Sequence, residues 1–418
     1  MDTANKLFDF IEKCPTSYHT ADTVASRLSE QGFTELDGEA AWELKDGGKY
    51  YTVRHGSLIA FVYRTPVRAF SIVSAHTDTP ALKLKAVPDV KGKYAKIGVE
   101  CYGGAIHYTW FDRPLSIAGR VAVRTDTGAE IRLVTVPHLK VVIPSVAPHL
   151  NRTVNSGFAP NPAVDLLPIY SLSGDGSVLD KVAEALDIEA GDILSHDLYL
   201  HDGERGVTFG KDNELLLSSR IDDLASVYTA LEAFLAADAT ADIPLLALFD
   251  NEEVGSSTAE GAASDFLQDT VLRICADRNI YRSAVAASLM LSSDGAHALH
   301  PNHPELSDPE CHPILGGGVA VKYNANRRYA TDAISDALLR EVAGKNGLTL
   351  QKYSNRADLP GGSTLGSIAT TRIPVLTVDI GIPQLAMHSL KECCAVSDID
   401  AMTALVRAFY SSERKLVK

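Results

Sequence analysis

Cysteine is scarce: six residues in 418, scattered except for the adjacent Cys393 and Cys394. That number makes no disulfide scaffold, and an adjacent pair does not match a CxxC zinc or redox site. Long apolar runs are missing too. The longest strong run, Ile243 to Phe249, falls far short of the ~20 residues that span a bilayer. Positive charge is in deficit, with 39 Lys and Arg against 53 Asp and Glu, a net charge of −14 with histidine neutral. With no dense Lys/Arg run, that balance argues against a nucleic-acid partner. Asp2 and Asp9 stand where a secretory signal needs a basic segment and then an apolar one. The expectation is a cytoplasmic chain with reduced thiols and no membrane partner.

What is present is ordinary globular material, 45% hydrophobic and 22% charged, with enough apolar residues for a sizeable core. At ~150 residues per domain the length predicts about two or three units. Leu7, Phe8, Ile11 and Cys14 share one helical stripe, stopped by Pro15, and Tyr18–Leu28 reads as a second helix. Strands are predicted over Tyr50–Arg54, Ser57–Tyr63 and Ala69–Ala75, the last apolar enough to be covered on both faces. Residues 88–209 then alternate in short segments broken by Gly, Pro and Asp, with a helical insert at Val178–Leu186 and a long Pro/Asn-rich loop at 155–168. From residue 210 strands and helices alternate again; residues 256–278 read as helical and 284–298 as a strand running into a loop. The pattern predicts an α/β domain assembled from residues 1–87 and 210–418, with helices on both faces of its sheet and residues 88–209 inserted as a β-rich domain.

Ligands of such sheets gather beyond the carboxyl ends of the strands. The buried strands deliver His76-Thr77-Asp78, Asp250-Asn251-Glu252-Glu253, Ser292-Ser293-Asp294 and Met387-His388-Ser389, and Asp222-Asp223 precedes a helix. Each alone has a plain structural reading: a buried histidine, a helix cap, a turn aspartate, a surface histidine. Together they do not, because two carboxylates at the mouth of an apolar strand repel and are costly to bury without a cation. Two histidines and three carboxylates suit two divalent metals such as zinc, with one carboxylate bridging. The extra carboxylate of the Glu252–Glu253 pair is then a free base. Asp78 can hold the other ring nitrogen of His76.

The segments Ser74-Ala75-His76-Thr77-Asp78, Arg220-Ile221-Asp222-Asp223-Leu224, Asp250-Asn251-Glu252-Glu253-Val254-Gly255-Ser256 and Gln384-Leu385-Ala386-Met387-His388-Ser389 resemble the aspartyl aminopeptidase family of two-metal zinc aminopeptidases. Further matches are Trp110-Phe111-Asp112-Arg113, residues 296–302 and Asn326-Arg327-Arg328-Tyr329-Ala330, in the family's order over nearly the whole chain. The resemblance implies a mixed-sheet metallopeptidase catalytic domain with an inserted β-rich dimerisation domain. It implies that His76, Asp222 and Asp294 hold one ion and that Asp222, Glu253 and His388 hold the other. Glu252 would be general base and acid, and Asp78 would support His76. His149, in Ala147-Pro148-His149-Leu150, would reach a neighbouring subunit's site. Lys322 and Tyr329 would line the pocket for an acidic N-terminal side chain. Peptide substrates, a dodecamer built from dimers and a cis bond between Asp222 and Asp223 are implied as well.

Other features are set aside. Pro301 and Pro304 break any helix that would align His297, His300 and His303. Gly316-Gly317-Gly318 lacks the GxxxxGK[ST] pattern of a phosphate loop, and no HExxH occurs. Two other functions fit the same ligands: an amidase or deacylase of small amides, which needs no free N-terminus, and a metal-dependent assembly scaffold, which needs no base.

Overall fold

Along Phe70–His76, a strand buried over its whole length, successive side chains enter two different cores. Val73 and Ala75 join one, Phe70 and Ile72 the other. The neighbouring strands divide alike: Leu246 and Leu248 against Leu245, Ala247 and Phe249; Leu289 and Leu291 against Met290. Helices cover each face. Asp2–Lys13, Ser17–Glu30, Ile221–Leu235, Ala333–Lys345 and Val396–Tyr410 contribute to the first core. Phe266–Cys275, Arg278–Ala287 and the short Leu365–Ala369 contribute to the second. Full burial of each large apolar side chain contributes about 1.5–3 kcal/mol.

The computed structural model describes residues 2–174, 176–238 and 240–412. They divide into two units. The first comprises the chain up to Asp78, Gly206–Met387, and Glu392 onward. Its twelve-stranded sheet runs Thr34–Glu35, Lys49–Arg54, Ser57–Val62, Ile243–Phe249, Phe70–His76, Leu289–His297, Leu376–Leu385, Glu392–Ala395, Leu215–Ser218 and Val207–Phe209. Val319–Tyr323 also pairs with Leu376–Leu385 and carries Leu350–Ser354. Four central strands are parallel: Ile243–Phe249, Phe70–His76, Leu289–His297 and Leu376–Leu385. The flanking pairs are antiparallel, so the sheet is mixed. The chain leaves Phe70–His76 for one neighbour and later returns to its other side, which opens a crevice at the carboxyl ends.

The second unit comprises Thr79–Arg205 with His388–Lys391. It is a six-stranded antiparallel sheet in the order Gly128–Val141, Leu115–Thr125, Ile193–Asp202, Ala81–Val90, Ala95–Tyr102 and Ile169–Ser171. Leu82, Ile97, Ile117 and Leu198 form its core, with Val178 and Val182 of the helix Val178–Leu186.

Two expectations fail locally. Residues 255–265 are turns, not helix. Thr258 takes the N–H of Gly261 on its hydroxyl and donates to Asn251, and the N–H of Ala263 returns to Ser256. Side chains thus compete for the bonds a helix needs. Residues 284–287 end a second helix instead of starting a strand, because Asp277 caps Arg278–Ala287 by accepting from Asn279 and Ile280.

Candidate active site

The face that carries Phe70 and Ile72 turns polar toward the carboxyl ends of the strands. By the two-residue alternation it goes on to Ser74 and His76 and, on the next strand, from Met290 to Ser292 and Asp294. Phe249 pairs with His76, so Asp250 and the Glu252–Val254 turn emerge beside it. Asp222 and Asp223 open the helix Ile221–Leu235 in non-helical conformation, and the peptide between them is cis.

His76 is the hub. Its Nδ1 lies 2.9 Å from the backbone oxygen of Asp78, which leaves Nε2 to face the acids. Nε2 is 3.4 Å from Asp222, 3.7 Å from Asp294 and 4.0 Å from Asp223. Ligand atoms of these four residues lie within 4.8 Å of one another, as do those of His76, Glu252 and Glu253. Asp78 was expected to hold the ring through its carboxylate. That carboxylate is 3.5 Å from Nδ1 and also accepts from the backbone of Glu252 and of Glu253, each at 3.1 Å. One residue thus ties the histidine to the turn that presents both glutamates.

The charge balance asks for a cation. Asp78, Asp222, Asp223 and Asp294 are all buried beside Glu252 and Glu253, with His76 and Lys322 among them. Burial pushes Glu252 up to about 7; Asp294, Asp78 and Asp222 add repulsion that His76 only partly offsets. Burial also drives Asp223 well above the usual carboxylate range, with Asp294 and Asp222 adding to the shift against the pull of His76. For His76 itself, burial disfavours the charged form, yet Asp223, Asp222, Asp294 and Asp78 outweigh it and raise the imidazole. Divalent ions relieve this surplus of acids, and an imidazole with carboxylate oxygens is a donor set that fits zinc.

Other expected residues fall as follows. Lys322 is buried on its strand, with Nζ 3.3 Å from Asp294 and 5.4 Å from the centre of the Tyr329 ring. Burial opposes its charge, but Asp294, Tyr329, Asp379 and Asp222 together hold it protonated. His388 follows Met387 directly. In the second unit its Nδ1 is 3.2 Å from the carbonyl of Gly104, and its own carbonyl accepts from Ile106. His149 is exposed in a turn of the second unit. Among the described residues, His297, His300 and His303 form no ligand group.

Three participants escaped the sequence reading. Asp223 accepts the backbone N–H of His76 at 3.1 Å, where a helix cap was the plain expectation. Glu392, buried, accepts the N–H of Asp222 at 2.9 Å. Tyr353 packs its ring 6.1 Å from Tyr329 and 6.1 Å from His297. Asp223 stood in the Asp222-Asp223 pair without a role of its own, and Glu392 had the signal of a charged residue in an otherwise apolar strand, ECCA.

Residues 10–410 match the profile of the family described as aminopeptidase I zinc metalloprotease (M18). The chain belongs to the M18 family. It is 40% identical over 428 residues to a probable M18 family aminopeptidase 2 of Clostridium acetobutylicum, covering 98% of this chain and 99% of that one. A protein of the same description from Pseudomonas putida is 35% identical over 418 residues, 97% of each chain. Among solved structures, the S. cerevisiae mApe1 dodecamer superposes with a TM-score of 0.85 at 27% identity, covering 98% of this chain and 96% of that one. This M18 protein is therefore a zinc-dependent metallo-aminopeptidase of mixed α/β fold, a hydrolase of peptide bonds. Among its described residues no helix is long and apolar enough to cross a membrane.

Proposed function

We propose that this aminopeptidase removes N-terminal residues, Asp and Glu by preference, with two divalent ions and Glu252 as the proton carrier. The observation that carries the reading is the place of Glu252: beside His76, within reach of the ligand group, and held by its backbone on Asp78. We assign His76, Asp222 and Asp294 to one ion and Asp222, Glu253 and His388 to the other, with zinc as the metal. When bound, the ions supply Lewis acidity to the scissile carbonyl and to the attacking water. Glu252 accepts a proton from that water and returns it to the leaving amine. The buried acids attract the free α-ammonium of the substrate, which favours an exopeptidase over an amidase.

Lys322 supports the acidic preference as a buried, permanent cation beside Tyr329. Its contact with Asp294 favours a second role, that of restraining a metal ligand. For subunit assembly we propose a dodecamer in which His149 reaches a neighbour's site; the likeness to a dodecameric relative supports it.

A panel of aspartyl, glutamyl, leucyl and alanyl anilides beside N-acylated peptides, with and without chelator, tests the reading. Chelator-sensitive release from free N-termini only, fastest for the acidic pair, is expected. Equal hydrolysis of N-acylated peptides would replace it with amidase chemistry.

A further inference from the structure

Asp379 belongs to none of the ligand groups, yet it is a completely buried carboxylate on the strand Leu376–Leu385. Its position opposite Ser292 places it two residues short of Asp294 on the neighbouring strand. Both oxygens are engaged by segments distant in sequence. Oδ1 accepts the hydroxyl of Thr364, the residue just before the short helix Leu365–Ala369. Oδ2 accepts the backbone N–H of Ala330, the residue after Tyr329. The N–H of Asp379 itself donates to the hydroxyl of Thr331 at 2.8 Å. Gly366 closes over the carboxylate, where a Cβ would come within 2.7 Å of Oδ1.

The loop held this way, residues 324–332, connects the Lys322 strand to the helix Ala333–Lys345. At its start the N–H groups of Asn326 and Arg327 bond back to Asn324. Its far end is fixed by Asp379 at two successive residues, Ala330 and Thr331. Tyr329 sits immediately before this clamp, with its ring under the Lys322 ammonium and against Tyr353. A buried carboxylate is costly unless its acceptors are filled. Here Ala330, next to Tyr329, fills one side and Thr364 the other. Only an ionised carboxylate offers acceptors on both sides, and an amide offers one.

We propose that Asp379 is a positioning residue for substrate choice: by clamping Ala330, Thr331 and Thr364 it fixes Tyr329 against Lys322. Loosening it lowers discrimination among N-terminal side chains without touching the ions. The inference rests on the reading of Lys322 and Tyr329 as the side-chain pocket, so the test carries a control for that reading.

The experiment compares kcat and KM for aspartyl and leucyl anilides, with bound zinc measured in parallel, in Asp379→Asn, Thr364→Val, Thr364→Ser and Lys322→Ala. Losing one hydrogen bond to a charged group predicts that Asp379→Asn and Thr364→Val lower the aspartyl-to-leucyl ratio by roughly 10-fold. The change should fall mainly on KM, with zinc content at the parent level, and Thr364→Ser should restore the parent ratio. Thr364→Val keeps the test open if Asp379→Asn does not fold. A ratio that Lys322→Ala lowers but the Asp379 and Thr364 variants leave alone overturns the positioning role. A loss of zinc in those variants overturns it too. A ratio that Lys322→Ala itself leaves unchanged removes the pocket reading, and this inference with it.

Discussion

The ammonium of Lys322 lies 3.3 Å from the carboxylate of Asp294, and both side chains are buried. One contact therefore joins the residue proposed to choose the substrate with a residue proposed to hold an ion. The two roles separate by substrate. A charge-assisted contact contributes about 1.5–3 kcal/mol, so Lys322→Ala should lower kcat/KM for aspartyl and glutamyl substrates by roughly 10–100-fold. Leucyl and alanyl substrates should change much less. Equal loss across all four would assign Lys322 to Asp294 alone.

Glu252 is the acid of its pair that the proposed ligand sets leave unused. Glu252→Gln keeps the shape of the side chain and removes the proton acceptor. The variant should retain zinc and lose at least ~10²-fold in kcat. Chelator should silence parent and variant alike, and added zinc should restore only the parent. Parent-like turnover by zinc-loaded Glu252→Gln would move the base elsewhere.

Much of this was legible because a buried strand in an α/β sheet announces itself by apolar content, and whatever follows it must lie at the sheet's edge. His76, Asp250 and Asp294 were visible on that ground. Asp379 was not, because a lone aspartate inside a strand reads like any solvent-facing residue of an alternating pattern. Its burial depends on Thr364 and Ala330, which only the tertiary structure brings near. Residues 255–265 misled for a related reason: Thr258 and Asn251 bind backbone and each other in a way that composition does not reveal. The partner of the glycines at 316–318 was hidden as well. The N–H groups of Gly316 and Gly318 are taken by Asp398.

Glu392 holds the backbone of Asp222 at 2.9 Å from inside the sheet. Groups that orient metal ligands typically change affinity by about 10–100-fold when removed. Glu392→Ala should weaken zinc binding by that order in a chelator competition, measured without substrate. Glu392→Gln retains an acceptor and should weaken it less. Unaltered zinc affinity in Glu392→Ala would mean that its hold on the backbone of Asp222 does not orient that ligand.

Asp398 offers a test of stability remote from catalysis. It begins the helix Val396–Tyr410 fully buried, and its two oxygens accept from Gly316 at 2.8 Å and Gly318 at 2.9 Å. Burial lifts its carboxyl from 3.8 to about 6, and the two N–H groups restrain that rise. The folded state therefore binds this proton more tightly than the unfolded chain does. The resulting stability is fully present below the unfolded value near 4 and is lost as pH rises through about 6. The loss from this one group is on the order of 3 kcal/mol. Asp398→Asn cannot titrate. Its stability therefore carries no contribution from this proton. The gap, parent minus variant, read from urea midpoints at a series of pH values, should fall as pH rises from 4 to 6. It should then stay constant to pH 8. A gap that widens over that range would mean that Asp398 is held as a carboxylate by its glycine partners more strongly than burial opposes it.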